Sequence, residues 1–286
     1  YRPPRRLTAS TGRHPSMSGQ MVSGWRGAMA LAVREWIRFF RQPSRVIGAL
    51  GQPVLLWLLL GVGLGRSFQG AGGIGFSEYY LAGTIALILL FTAIFTTISI
   101  IEDRKAGFLQ GVLAAPVPRW AIAAGKILGG GAIAWVQALL FVLLAAVLGP
   151  LEIGSLSLSL IAFLALAAIA ITALGMLFAW PMDSTQGFHA IMNLVLLPMW
   201  LLSGALFPIP GLNPDATWGE TLFHWAMRVN PMSYVVAGIR QHLDPAMEAT
   251  GWIPGPMVCW MAMAGFALGL SALAAGMVSK QPKGRR

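Results

Sequence analysis

The chain has 286 residues, 56% of them hydrophobic and 10% charged, with a formal net charge of +10. A soluble domain carries about 25% charged residues, so a water-covered globule is excluded for want of polar groups to face solvent. The single cysteine, Cys259, excludes an internal disulfide and any Cys/His metal spacing, and the basic surplus points either to nucleic acid or to a membrane surface.

In chain order, residues 1–22 mix Arg2, Arg5, Arg6 and Arg13 with Pro, Ser and Gly and hold few large apolar side chains. They are expected to form a disordered basic tail. No apolar core follows the arginines, so a cleaved signal peptide is not expected, and Met17 and Met21 are candidate starts. The pattern then changes. At helical spacing Trp25, Met29, Ala32, Val33, Trp36 and Phe40 fall on one arc, and Arg34, Glu35, Arg38 and Arg41 on the other. Such a helix is too charged to span a bilayer and suits its interface. Gln42-Pro43-Ser44 ends it.

Six runs reach the roughly 20 mostly apolar residues that a crossing helix needs: residues 46–64, 79–101, 121–148, 157–180, 188–207 and 256–278. Lys and Arg are divided seventeen to three between the two sides of these runs, the three being Arg66, Arg228 and Arg240. Basic residues accumulate in cytoplasmic loops, so both termini are expected in the cytoplasm, as an even number of spans requires. The net charge is then mostly topological, and nucleic acid is not an expected partner.

The connections carry their own signals. After span two, Glu102, Asp103, Arg104 and Lys105 are consecutive. A helix-compatible stretch, residues 106–114, follows and is stopped by Pro116 and Pro118, with Lys126 at the edge of span three. This segment reads either as a solvated turn or as a short surface helix for a partner to grip. In the outer connection, residues 208–255, Thr217-Trp218-Gly219-Glu220 has the form of a capping box. Asn230-Pro231 offers a cap and a first-turn proline for a second short helix. Pro198 is expected to kink span five, and Ser203-Gly204 to weaken it one turn later.

Chemistry is sparse. Gly125-Lys126 is followed by Ile127, and Trp120 stands where a phosphate-cradling loop needs glycine. His14, His189, His224 and His242 have no metal spacing, and His189 near Asp183 reads either as a solvated histidine or as half of a proton relay. The spans hold essentially no carboxylates, which argues against a proton-coupled carrier.

With these features in order, the chain resembles the ABC-2 type transporter permeases, the family of daunorubicin-type drug, nodulation lipo-oligosaccharide and polysaccharide export permeases. The likeness rests on the amphipathic helix before span one and on Glu102, Arg104, Gly107, Leu109, Leu113 and Pro116 after span two, with Gly125-Lys126 beyond. It rests also on the P-x-x-L-L-S-G-x-x-F-P run from Pro198 to Pro208, including Phe207, and on Asn230-Pro231 and Tyr234. The resemblance implies an all-α polytopic fold: six transmembrane helices, an N-terminal amphipathic interfacial helix and short outer re-entrant helices before the last span. It implies a transmembrane domain over residues 23–279 and a basic cytoplasmic tail over residues 280–286. It further implies a homodimer in the bacterial inner membrane, in contact with lipid and paired with a cytoplasmic ATP-binding subunit. That subunit would hold ATP and Mg, leaving this chain without cofactor or catalysis.

By the same resemblance, Arg34 and Arg38 on the interfacial helix and Glu102, Asp103, Arg104, Lys105, Gly107, Leu109, Leu113 and Pro116 couple to the ATPase. Spans two and five line the path, through Phe91, Phe95, Thr96 and Ser99 and through Met192, Asn193, Leu196 and Met199. This mixture suits an amphipathic, lipid-linked or drug-like cargo, although a plain helix–helix seam would look the same. Pro198, Ser203, Gly204, Phe207, Pro208, Asn230, Pro231 and Tyr234 are the expected gating residues. The rival readings are an ATPase-independent transporter or channel and an intramembrane enzyme, for which Ser203 lacks an evident histidine partner in the spans.

Overall fold

Among the described residues every regular element is helical. The structure, a computed structural model, describes residues 23–64, 75–148, 151, 156–211, 216–243 and 252–280. The expectations for residues 1–22, for Arg66 and for residues 281–286 lie outside these.

Helix α1 (Gly24–Phe40) precedes α2 (Pro43–Leu64), α3 (Phe76–Lys105), the short α4 (Phe108–Ala114), α5 (Arg119–Leu148) and α6 (Leu158–Ala179). Then come α7 (Thr185–Ile191), a π-helical turn (Met192–Leu196), α8 (Leu197–Leu201), α9 (Trp218–Val229), α10 (Pro231–Leu243) and α11 (Pro256–Lys280). Five of these, α2, α3, α5, α6 and α11, are long and apolar enough to cross a membrane. Local chemistry sets several starts. Ser157 Oγ accepts from the Leu160 N–H at α6, and Ser184 Oγ from the Gly187 N–H at α7. The capping box at α9 forms as expected, Thr217 and Glu220 each accepting from the other's backbone N–H.

Helix α3 is the most enclosed of the five, packed among α2, α5, α6 and α10. Helix α1 lies along α5 through a glycine groove. A Cβ on Gly125 would stand 2.6 Å from the Ala28 carbonyl oxygen, and one on Gly129 2.9 Å from Ala32 Cα, so neither position admits a side chain without separating the helices.

Two expectations change here. The consecutive charges Glu102–Lys105 form the last turn of α3 rather than a connection. The expected fifth span is not one continuous α-helix but α7, the π turn and α8 in succession. Pro198 supplies no N–H to the Leu194 carbonyl and its ring crowds that oxygen. A wider π turn just ahead accommodates both, and such turns recur at functional sites.

Candidate functional site

The functional candidates gather at two places, one at each end of α3. At the end carrying residues 102–105, α1, α3 and α5 meet in a cluster of ion pairs. Lys126, 5% exposed, donates to Glu35 Oε1 at 2.6 Å, to Ser99 Oγ at 3.0 Å and to Asp103. Arg34 forms a two-pronged pair with Asp103 at 2.8 and 3.0 Å. Arg38 reaches Asp103 at 2.6 Å and also Glu102, which accepts from Arg45 as well. Arg34 stacks over the Phe108 ring of α4, 3.7 Å from its centroid. Burial draws the Arg34 guanidinium down, but hydrogen bonding to Asp103 and the charges of Asp103 and Glu35 outweigh it and hold it above its usual value.

Removing one partner from a buried ion pair costs about 3–5 kcal/mol, because the other charge is stranded. The cluster therefore fixes α1, α3 and α5 against one another. Gly107, at φ +74°, turns the chain sharply from α3 into α4, a left-handed conformation that favours glycine. Leu109 of α4 is buried against the core, Leu113 is half-buried, and Pro116 is exposed. Arg104 takes a different place from its neighbours. It donates to the carbonyls of Trp180 and Met182 and pairs with Asp183 at 3.0 Å, closing the C-terminal end of α6. Lys105 is exposed.

At the opposite end of α3, the chain leaving α8 turns at Gly204, where φ is +83°. The Gly204 carbonyl accepts from Tyr79 Oη and from Arg240 Nη2, each at 3.1 Å. Arg240 also lies over the Tyr79 ring at 4.2 Å. Trp200 donates to the Gly83 carbonyl at 2.9 Å, and a Cβ on Gly83 would stand 2.7 Å from Ala205. Asn230 donates to the Met199 carbonyl and accepts from the Met232 N–H, so it caps α10 and holds it to α8 at once. Ser203 and Gly204 are buried, Pro208, Pro231 and Tyr234 half-buried, and Phe207 and Pro198 exposed. Contacts among α3, α8, α10 and the turn at Gly204 thus close this end.

The expected path residues divide. Thr96 and Ser99 are buried inside the bundle, where Thr96 meets Gly130 of α5 and Ser99 meets Lys126. Phe91 and Phe95 are half-buried and stack on each other. On the fifth-span segment Met192 and Leu196 are buried, Met199 half-buried and Asn193 exposed. Only the outward-turned members, Phe91, Phe95, Asn193 and Met199, remain open to anything outside the bundle.

Sequence reasoning missed Glu35, Arg45, Tyr79 and Arg240 as members of these clusters. Glu35 was expected on the solvated arc of α1, yet it is 3% exposed. Conversely Trp25, Met29, Val33 and Phe40, one apolar arc, remain 46–60% exposed. The signal for α1's packing face was Gly125-x-x-x-Gly129, a small-residue groove that a second helix fills.

Comparison with known proteins agrees with this architecture. The profile of the family described as ABC-2 type transporter matches residues 27–243. Nodulation protein J of Rhizobium leguminosarum bv. trifolii is 27% identical over 240 residues, covering 78% of this chain and 85% of that protein. Nodulation protein J of Rhizobium meliloti is 26% identical over 220 residues, covering 76% and 81%. A Porphyra purpurea protein whose name describes it as a transport permease, ycf38, is 25% identical over 219 residues, covering 74% and 72%.

Proposed function

Because the chain belongs to the ABC-2 type transporter family and is the membrane permease subunit of an ABC exporter, we propose that it works as the moving half of a two-part machine. A separate cytoplasmic ATP-binding subunit holds ATP and Mg and grips α4 and the adjoining end of α1. Two copies of this chain stand side by side in the bacterial cell membrane, with both termini in the cytoplasm. The interrupted segment Thr185–Leu201 makes the sixth crossing, and α9 and α10 enter the membrane from outside without crossing it. The cargo is an amphipathic, lipid-linked or drug-like molecule that moves between copies past Phe91, Phe95, Asn193 and Met199.

The observation that carries this reading is the ion-pair cluster of Glu35, Asp103 and Lys126. It joins α1 and α5 to α3, the helix whose far end reaches the Tyr79–Gly204 contact, and Arg34 beside it stacks on Phe108 of α4. α3 holds 30 residues and rises about 1.5 Å per residue. A tilt imposed at one end is therefore delivered some 40 Å away without an intervening flexible link.

The test is cross-linking from Gln110→Cys, on the exposed face of α4. Capture of an ATP-binding subunit in native membranes is the expected result. Capture of no such subunit, with transport persisting after ATP depletion, would instead establish a transporter or channel that needs no ATPase.

A further inference from the structure

A wide, open surface hollow of about 450 Å3 lies along the C-terminal half of α1 beside the ion-pair cluster, lined by Arg34, Ile37, Arg38, Arg41 and Gln42. Residues three and four apart share a helix face, so Arg34, Arg38 and Arg41 turn the same way. The charges here do not balance. Arg34, Arg38, Arg41, Arg45 and Lys126 supply five cations, and Glu35, Glu102 and Asp103 supply three carboxylates. The carboxylates are taken up by Arg34, Arg38, Arg45 and Lys126. Arg41 is exposed and has no ion-pair partner among the described residues. Among the lining residues Ile37 is apolar and 51% exposed, and Val33 and Phe40, on the adjoining arc of α1, are 53% and 46% exposed.

A site that is cationic within and apolar along its edge fits an amphiphile with an anionic head. We propose that this hollow binds the headgroup phosphate of an anionic phospholipid, with Arg41 and Gln42 as its chief donors and the acyl chains lying along Ile37 and Phe40. Free phosphate would use the same donors but leave the apolar edge in water. An acidic protein surface would also have no use for that edge. The bound lipid tethers the ATPase-facing end of α1 to the membrane. The proposal rests on α1 lying in the bilayer interface, as the reading above has it.

The test uses the purified full chain in detergent, titrated with phosphatidylglycerol and with phosphatidylcholine and read by native mass spectrometry. Each basic side chain near an anionic surface contributes about fivefold in binding. Arg41→Gln should therefore cut the preference for phosphatidylglycerol about fivefold, and Arg41→Lys should keep most of it. The preference should also fall between about 0.05 and 0.5 M salt. Equal retention of the two lipids, or an unchanged preference in Arg41→Gln, overturns the site. Displacement of the lipid by millimolar inorganic phosphate overturns the lipid assignment in favour of a phosphate site. Cross-linking of Arg41→Cys to a protein, without lipid preference, overturns it in favour of a protein contact. A fluorophore on Val33→Cys, in a chain whose own Cys259 is buried, separates the two readings when brominated phosphatidylcholine is the quencher. Absent quenching removes α1 from the interface and the proposal with it. Quenching without phosphatidylglycerol preference removes the site alone.

Discussion

Lys126→Met removes the buried one of the two cations, Lys126 and Arg34, that touch both Glu35 and Asp103, while keeping a side chain of similar length in the α1–α3–α5 junction. Asp103 retains Arg34 and Arg38. Glu35, 3% exposed, retains only Arg34 at 3.3 Å. Leaving a buried carboxylate with a single partner at 3.3 Å gives up part of the about 3–5 kcal/mol lost when a buried pair is broken. At roughly 2–4 °C per kcal/mol for a chain somewhat smaller than this one, the melting temperature in detergent should fall by up to about 10 °C. Adding Glu35→Gln removes that carboxylate's charge, so the double variant should recover more than half of that loss. Thermal unfolding of the four proteins, wild type, two singles and the double, completes the cycle and isolates the pair. A single variant within about 2 °C of wild type, or a double variant as unstable as the two singles summed, would refute the assignment of Lys126 and Glu35 as a coupled buried pair.

Other substitutions test other contacts. Gly125→Val should push α1 off α5, since even a Cβ would meet the Ala28 carbonyl at 2.6 Å; a loss of about 1–3 kcal/mol and faster proteolysis within residues 24–40 are expected. Gly204→Ala forces a side chain into the left-handed region at φ +83°, costing about 1–2 kcal/mol, and should open the Tyr79–Gly204 contact to reagents at that end of α3. Glu220 is held below its ordinary carboxylate value of 4.5 by the backbone N–H of Thr217 and then by its hydroxyl. A lowered value in the folded state means that the stabilisation is present above the unfolded value and is lost as pH falls through the folded one. Amide exchange in the first turn of α9 should accordingly quicken below about pH 4, and Glu220→Gln should abolish that dependence.

Where the signal was local, the sequence was legible. Five apolar runs became long helices because a bilayer-length run has no other stable form in lipid. The capping box at Thr217 and the Asn230-Pro231 start formed as read, because each depends on residues two or three apart. What failed was set by tertiary contact. Periodicity divided α1 into an apolar and a charged arc but did not say which would be covered. Glu35 is buried because Lys126, 91 residues away in sequence, is there to meet it. The fifth apolar run met the length criterion and breaks near Pro198 as expected, but the π turn just ahead was not read, because hydropathy does not register a change of hydrogen-bonding register. The expected path residues scattered for a related reason. Phe91, Phe95, Thr96 and Ser99 all lie within one long apolar helix, and only the positions of α5 and α6 determine which of them face inward.

Gly107 separates two very different mechanical bodies. On one side stands α3, 30 residues long and held on every flank. On the other stands α4, 7 residues long, gripped by the buried Leu109 and by the stacking of Phe108 under Arg34. A lever of this kind transmits force only while its short arm is clamped. If Phe108 slid from beneath Arg34, α4 would be held by Leu109 alone, so under the proposed function that pairing would act as a clutch, and a motor gripping α4 would turn over with little load whenever it is disengaged.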